Sequence, residues 1–172
     1  MSKNVLVVID MQNDFIDGAL GTKEAQAIIE NVYQVIQSFE GEVVFTRDTH
    51  FENYADTQEG KKLPIPHCIK GTNGWQINSK LKKLIKPETK IFDKITFGST
   101  ELTEYLKNNK ELKKIILVGL CTDICIISNA LLIKANMPEV EIEVLENCCA
   151  GVTPESHINA LNAMKMCQIS VK

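Results

Sequence analysis

The sequence predicts an α/β protein: a doubly wound, parallel, six-stranded sheet in the order 3-2-1-4-5-6, with helices on both faces and residues 1–172 forming a single domain. Three observations predict it. Strand-like and helix-like patterns alternate along the whole length, and the strand segments are near-continuous apolar runs, as in a parallel sheet covered on both sides. Right-handed crossovers with one reversal of winding then give that strand order. The 172 residues, 44% hydrophobic and 24% charged, are enough for one sizeable core.

Val5–Ile9 reads as the first strand, bounded by Asn4 and Asp10. Thr22 can cap a helix whose apolar positions Ala25, Ile28, Ile29, Val32, Val35 and Ile36 keep helical spacing. Glu42–Thr46 is the second strand. Asn78 or Ser79 can cap a short helix through Leu81 and Leu84, and Thr89–Asp93 is the third strand. Ser99–Leu106 reads as a helix stopped at Asn108-Asn109, and Lys114–Val118 as the fourth strand. A helix follows Thr122, then the strand Val140–Leu145, a helix from Pro154 to about Met166, and a last short strand Ile169–Val171. Pro154 suits a first helical position. Between Arg47 and Trp75 there is no sustained period, and loops this long are often functional.

The formal charge of −3 argues against a nucleic-acid partner. Lys80, Lys82, Lys83 and Lys86 form the one local basic cluster and read as a solvated helix face. No stretch approaches the roughly 18 apolar residues that span a bilayer. Val5–Ile9 is too short for a signal peptide, so the expected location is the cytoplasm. There the six cysteines are expected to be reduced thiols.

Gly119-Leu120-Cys121-Thr122-Asp123-Ile124-Cys125 carries the strongest chemical signal. It joins a buried strand to a helix, so Cys125 falls in a first turn where unpaired N–H groups and the helix dipole favour a thiolate. In the predicted order strands one and four are neighbours, so Asp10 and Cys125 meet where the winding reverses. Each residue also has a plain structural reading: Cys125 as inert core, Asp10 as a turn cap, Lys94 as a partner of Asp93 or Glu88.

Val8-Ile9-Asp10-Met11-Gln12-Asn13-Asp14-Phe15, Asp93-Lys94 and Thr122-Asp123-Ile124-Cys125 together resemble the isochorismatase-like cysteine hydrolases, in order and spacing over nearly the whole chain. The resemblance implies a catalytic trio of Asp10, Lys94 and Cys125, and an oxyanion hole from the backbone N–H groups of Cys121 and Cys125. It also implies a cis peptide at Leu120–Cys121. Asp48-Thr49-His50 followed by His67 resembles the metal site of nicotinamidases. Glu59 stands where some of them have a fourth ligand, with Asp56 and Asn53 as alternatives. Asp48 and His50, two apart on extended backbone, point the same way. Two imidazoles and two carboxylates suit a divalent ion, Zn²⁺ by preference, or Mn²⁺ or Fe²⁺. The alternative for this loop is that Asp48 and His50 bind backbone while His67 packs.

Phe15 matches the family's pocket residue, and Phe97 and Trp75 are further candidates for walls around a flat ring. Two departures bear on pocket shape: Leu63-Pro64-Ile65-Pro66 before His67 lacks a tryptophan found in some nicotinamidases, and Gly98 is unusual. His157 is expected to cap or pack the last helix. The resemblance implies hydrolysis of nicotinamide to nicotinate and ammonia through a cysteine thioester, hence a small-molecule amide as partner, with homo-oligomerisation common in the superfamily. The alternatives are a metal-independent amidase for carbamoyl or ureido compounds, and a catalytically silent binding module.

Overall fold

The computed structural model describes residues 3–172. Six parallel strands form one sheet in the order β3-β2-β1-β4-β5-β6. They are β1 (Asn4–Ile9), β2 (Glu42–Asp48), β3 (Ile91–Lys94), β4 (Lys114–Leu120), β5 (Glu141–Ala150) and β6 (Ser170–Val171). The predicted order is therefore the observed one.

β1 shows why the sheet is covered twice. Val5, Val7 and Ile9 pack into one core, and Leu6 and Val8 into another, because successive side chains of a strand point to opposite faces. The first core is closed by α6 (Thr100–Lys107), α7 (Ile127–Asn136) and α8 (Pro154–Met166) through Leu102, Leu106, Ala130, Ile133, Leu161 and Met164. The second is closed by α1 (Asn13–Ile16), α2 (Lys23–Ala27), α3 (Ile29–Ser38) and α5 (Ser79–Lys82) through Ile16, Ala25, Val32, Ile36 and Leu81. Each such Val, Leu, Ile or Met side chain contributes roughly 1.5–3 kcal/mol when fully buried. No helix of the described residues is long and apolar enough to cross a membrane.

Several elements differ from expectation. The helix predicted from Thr22 is two helices that meet at Ile28, and Thr22 caps the first through the Ala25 N–H. The irregular segment contains a 3-10 turn, Tyr54–Asp56, and the short helix α4 (Gln58–Lys62), capped by Thr57. β5 runs five residues past Leu145, and its pairing with β4 shifts register between Leu117 and Gly119. Pro154 does open α8, behind a Thr153–Ser156 capping box.

Gly119 shapes the end of β4. Its φ is +121°, and a Cβ there would lie 2.0 Å from the Ile9 carbonyl oxygen. Only glycine lets β4 approach β1 this closely while turning toward Cys121. The Leu120–Cys121 peptide is cis, as the resemblance implied.

Candidate active site

Three adjacent strand ends supply the first group. Asp10 follows β1 with φ +49°, a left-handed conformation held by bonds from its N–H to the Thr46 carbonyl and hydroxyl oxygens at 3.3 and 3.2 Å. The Thr46 hydroxyl in turn donates to Asp10 Oδ1 at 2.7 Å. Asp48 ends β2 and Lys94 ends β3, directly opposite in register. Lys94 Nζ lies 2.6 Å from Asp10 Oδ2, 3.4 Å from Asp48 Oδ1 and 3.4 Å from Cys125 Sγ, and donates to the Thr96 carbonyl at 3.1 Å. Asp10, Lys94 and Cys125 are thus brought together, all nearly inaccessible.

Cys125 sits in a turn of π-helical geometry, Thr122–Ile126, that leads into α7. Such turns recur at functional sites. A helix N-terminus favours the thiolate locally, but burial pushes the Cys125 thiol well above its ordinary pKa. Lys94 opposes the shift, and Asp10 and Asp48 add to it. Burial and the two carboxylates therefore favour the thiol over the thiolate. Burial also raises Asp10 against the pull of Lys94. For Lys94 burial disfavours the charge, yet the carboxylates of Asp10 and Asp48 outweigh it and hold the pKa above the usual lysine value. Apart from that ammonium, Asp10 Oδ2 has no donor in good hydrogen-bond geometry, which leaves a lone pair for a proton.

The second group is Asp48, His50, Glu59 and His67, whose ligand atoms all lie within 4.8 Å of one another. His50 Nε2 is 2.9 Å from Asp48 Oδ2 and 3.6 Å from Glu59 Oε1; His67 Nε2 is 3.5 and 3.6 Å from the same two atoms. Ligand atoms about 2.1 Å from a metal ion stand about 3.0 Å apart at right angles and about 3.4 Å apart tetrahedrally, so the spacing fits one ion. His67 Nδ1 faces the Ile65 carbonyl oxygen at 2.8 Å. A carbonyl only accepts, so Nδ1 carries a proton, and Nε2 is the nitrogen turned toward the cluster.

Burial alone would raise Asp48, but hydrogen bonds from His50 and His67 and the Lys94 charge hold it well below the carboxylate range. Glu59 goes the other way, raised by burial and by Asp48. Asp56, the alternative fourth ligand, is outside the cluster, Asn53 lines the nearby wall, and Glu59 completes the set.

Cys125 and all four residues of the second group line one cavity of about 640 Å³, whose walls also include Cys121, Phe15 and Phe97. Phe15 lies 5.5 Å from the His67 ring, and Phe97 is 41% exposed at the mouth. Trp75 is not in this wall. Its ring lies 3.7 Å under the Arg47 guanidinium and its Nε1 donates to Thr49 Oγ1 at 2.9 Å. Arg47 also makes a bidentate pair with Asp93, so Asp93 is not the partner of Lys94. Gln12 stands within the Val8–Phe15 motif, but the sequence assigned it no role. Its side chain accepts from the Asp48 N–H at 2.7 Å and donates to the Asp48 and Trp75 carbonyls at 2.8 and 2.9 Å, tying the Asp10 loop to the end of β2. A lone polar residue beside a strand has no periodic signature that could have revealed it.

Comparison with known proteins identifies the family. An isochorismatase family protein, PncA, of Bacillus subtilis is 31% identical, and the match covers 93% of each chain. The pyrazinamidase/nicotinamidase of Streptococcus mutans superposes with a TM-score of 0.86 at 28% identity, covering 98% of this chain and 99% of that one. The Pyrococcus horikoshii pyrazinamidase, solved in complex with zinc, gives 0.83 at 26% identity over 99% and 98%. N-carbamoylsarcosine amidase of Thermoplasma acidophilum gives 0.82 at 26% identity over 99% and 95%. With residues 4–171 also matched by the isochorismatase domain model, the chain belongs to the isochorismatase family.

Proposed function

We propose that the chain is a nicotinamidase-like amidohydrolase, a single domain that converts nicotinamide to nicotinate and ammonia through a Cys125 thioester and so feeds NAD salvage. The observation that carries it is the bridging position of Lys94, 3.4 Å from both Cys125 Sγ and the Asp48 carboxylate. One cavity therefore offers a nucleophile at one end and a four-donor cluster a few ångströms away. That spacing suits a small ring bearing a carboxamide, with Phe15 and Phe97 as walls.

Asp10 Oδ2 takes the proton of the Cys125 thiol as Sγ attacks the carboxamide carbon. Lys94 holds Asp10 and balances the negative charge that then sits on sulfur. The backbone N–H groups of Cys121 and Cys125 receive the oxyanion. Collapse breaks the C–N bond, and Asp10 returns its proton to the departing ammonia. Water deprotonated by Asp10 then attacks the thioester, releasing nicotinate and restoring the thiol. Asp48, His50, Glu59 and His67 would hold Zn²⁺, or Mn²⁺ or Fe²⁺, which when bound supplies a Lewis-acidic position for the ring nitrogen.

Ammonia release from nicotinamide, before and after chelation and metal add-back, tests the reading. Turnover that falls on chelation and returns with metal is expected. The likeness to N-carbamoylsarcosine amidase favours a second reading, a metal-independent amidase for carbamoyl compounds. Turnover of a ureido substrate that is indifferent to chelation, with none of nicotinamide, selects it.

A further inference from the structure

The turn that carries Cys125 is held from behind as well as from the cavity. Thr122 opens it, fully buried, and its Oγ1 lies 2.7 Å from Nδ1 of His157 on α8. The next residue, Asp123, accepts from the Val152 N–H at 3.2 Å through both carboxylate oxygens. The start of α8 is a firm support: Thr153 and Ser156 cap it reciprocally, Pro154 fixes its first φ, and the His157 N–H donates to the Thr153 carbonyl. Gly151 lets the β5–α8 connection lie against this support, since a Cβ there would stand only 2.9–3.0 Å from His157 backbone and Cβ atoms.

The turn needs such a support. Its wide geometry makes one acceptor, the Cys121 carbonyl, serve both the Ile124 and Ile126 N–H groups at 3.1 and 3.0 Å. Burial lowers the His157 pKa, with Glu146 and Asp123 opposing, so the ring is neutral near pH 7. A neutral ring has one N–H and one bare nitrogen, so Nδ1 pairs with the Thr122 hydroxyl in either tautomer, accepting its proton or donating to its oxygen. We propose that His157 is a positioning residue for Cys125, acting through the Thr122 hydroxyl to fix the turn that sets the thiol and the N–H groups of Cys121 and Cys125. The proposal rests on Cys125 being the nucleophile.

The test compares Thr122→Val, Thr122→Ser, His157→Ala and His157→Asn in nicotinamide turnover and in carboxamidomethylation of Cys125 by iodoacetamide. The alkylation is resolved by peptide mass spectrometry with exposed Cys167 as the reference thiol. Thr122→Val and His157→Ala should lower kcat at least about tenfold, leave KM within about twofold, and slow alkylation of Cys125 relative to Cys167. Thr122→Ser keeps the hydroxyl and His157→Asn keeps a polar atom near Nδ1, so both should stay close to wild type. Wild-type kcat and alkylation in Thr122→Val and His157→Ala would overturn the proposal. So would a parallel loss of kcat, KM and Tm in all four variants, which marks a merely structural role. A Cys125→Ala variant that still turns over nicotinamide removes the nucleophile reading and the proposal with it. A dead Cys125→Ala beside an unaffected Thr122→Val removes only the positioning role. The alkylation comparison needs no substrate and decides the proposal even if nicotinamide is not turned over.

Discussion

Replacing Lys94 by Met keeps a similar volume and removes one charge from the centre of the site. Lys94 is 4% exposed, and its ammonium faces Asp10 at 2.6 Å and Asp48 at 3.4 Å, both themselves buried. Deleting one partner of a buried ion pair costs about 3–5 kcal/mol, because the other charge is left uncompensated. For a domain of this length about 2–4 °C of Tm follows each kcal/mol, so the chelated variant should melt roughly 6–20 °C below chelated wild type. Asp10 already has a raised pKa, and Lys94 is the main influence that lowers it. Without Lys94 the folded chain binds that proton still more tightly than the unfolded one. The deficit should therefore shrink as pH falls toward the raised Asp10 value and grow as pH rises through it. Adding Asp10→Asn to Lys94→Met removes the stranded charge and should recover about 1–3 kcal/mol, although both proteins lack activity. The assay is urea unfolding of the two single variants and the double variant in chelator. A Lys94→Met protein as stable as wild type, or a double variant no more stable than Lys94→Met, refutes the reasoning.

Cys125→Ala should lower turnover at least about a thousandfold while Tm moves by only a few degrees, since a small buried side chain is truncated and no charge is stranded; residual turnover near wild type would exclude a thioester. Saturating Zn²⁺ at about a hundred times its Kd adds about 2.7 kcal/mol to folding, hence a Tm gain of roughly 5–11 °C over chelated protein. The same titration should change the fluorescence of Trp75, the chain's one tryptophan, because its Nε1 is bonded to Thr49 between two cluster residues. A flat titration in both signals counts against the ion site. Gly119→Ala should cost at least about 3 kcal/mol and reduce soluble yield, because the new Cβ meets the Ile9 carbonyl at 2.0 Å in a backbone that disfavours side chains; a wild-type Tm would contradict the close approach of β1 and β4.

What the sequence made legible was set by short-range pattern and topology. Apolar strands alternating with helical periods were enough for the sheet order, and the order alone brings Asp10 beside the segment of Cys125. Asp48 and His50 were legible because alternation on a strand end points both side chains one way. The rest depended on quantities a chain cannot display locally. α4, which carries Glu59, is five residues long, too short to show a period. β5 continues through Glu146 and Asn147, polar residues that break its apolar run although Cys148, Cys149 and Ala150 beyond them are buried. Thr122 and His157 are 35 residues apart, and no rule of spacing pairs them. The balance between thiol and thiolate at Cys125 has a related origin. A helix N-terminus is a local feature that favours thiolate, whereas burial and two nearby carboxylates belong to the assembled site and prevail at rest.

Charge balance links the trio to the four-donor cluster. By formal charge, with histidine counted as neutral, Asp10, Asp48 and Glu59 carry three negative charges against the one ammonium of Lys94, so the cavity wall carries two net negative charges. The chain alone meets this excess by raising Glu59, through burial and Asp48 repulsion, and by raising Asp10. A divalent ion on the cluster brings the sum to zero, which a monovalent ion cannot do. Glu59→Gln separates the two situations because its effect should change sign. In chelator the variant loses a repulsion with Asp48 and should be as stable as wild type or more stable, by up to about 1 kcal/mol. In saturating Zn²⁺ it lacks a charged ligand and should fall below wild type, with Zn²⁺ affinity weakened by at least about tenfold. Paired melts of the two proteins in chelator and in Zn²⁺ read this directly. If Glu59→Gln is destabilised equally in both, Glu59 serves the fold and not an ion, and the charge argument fails at its weakest-held ligand.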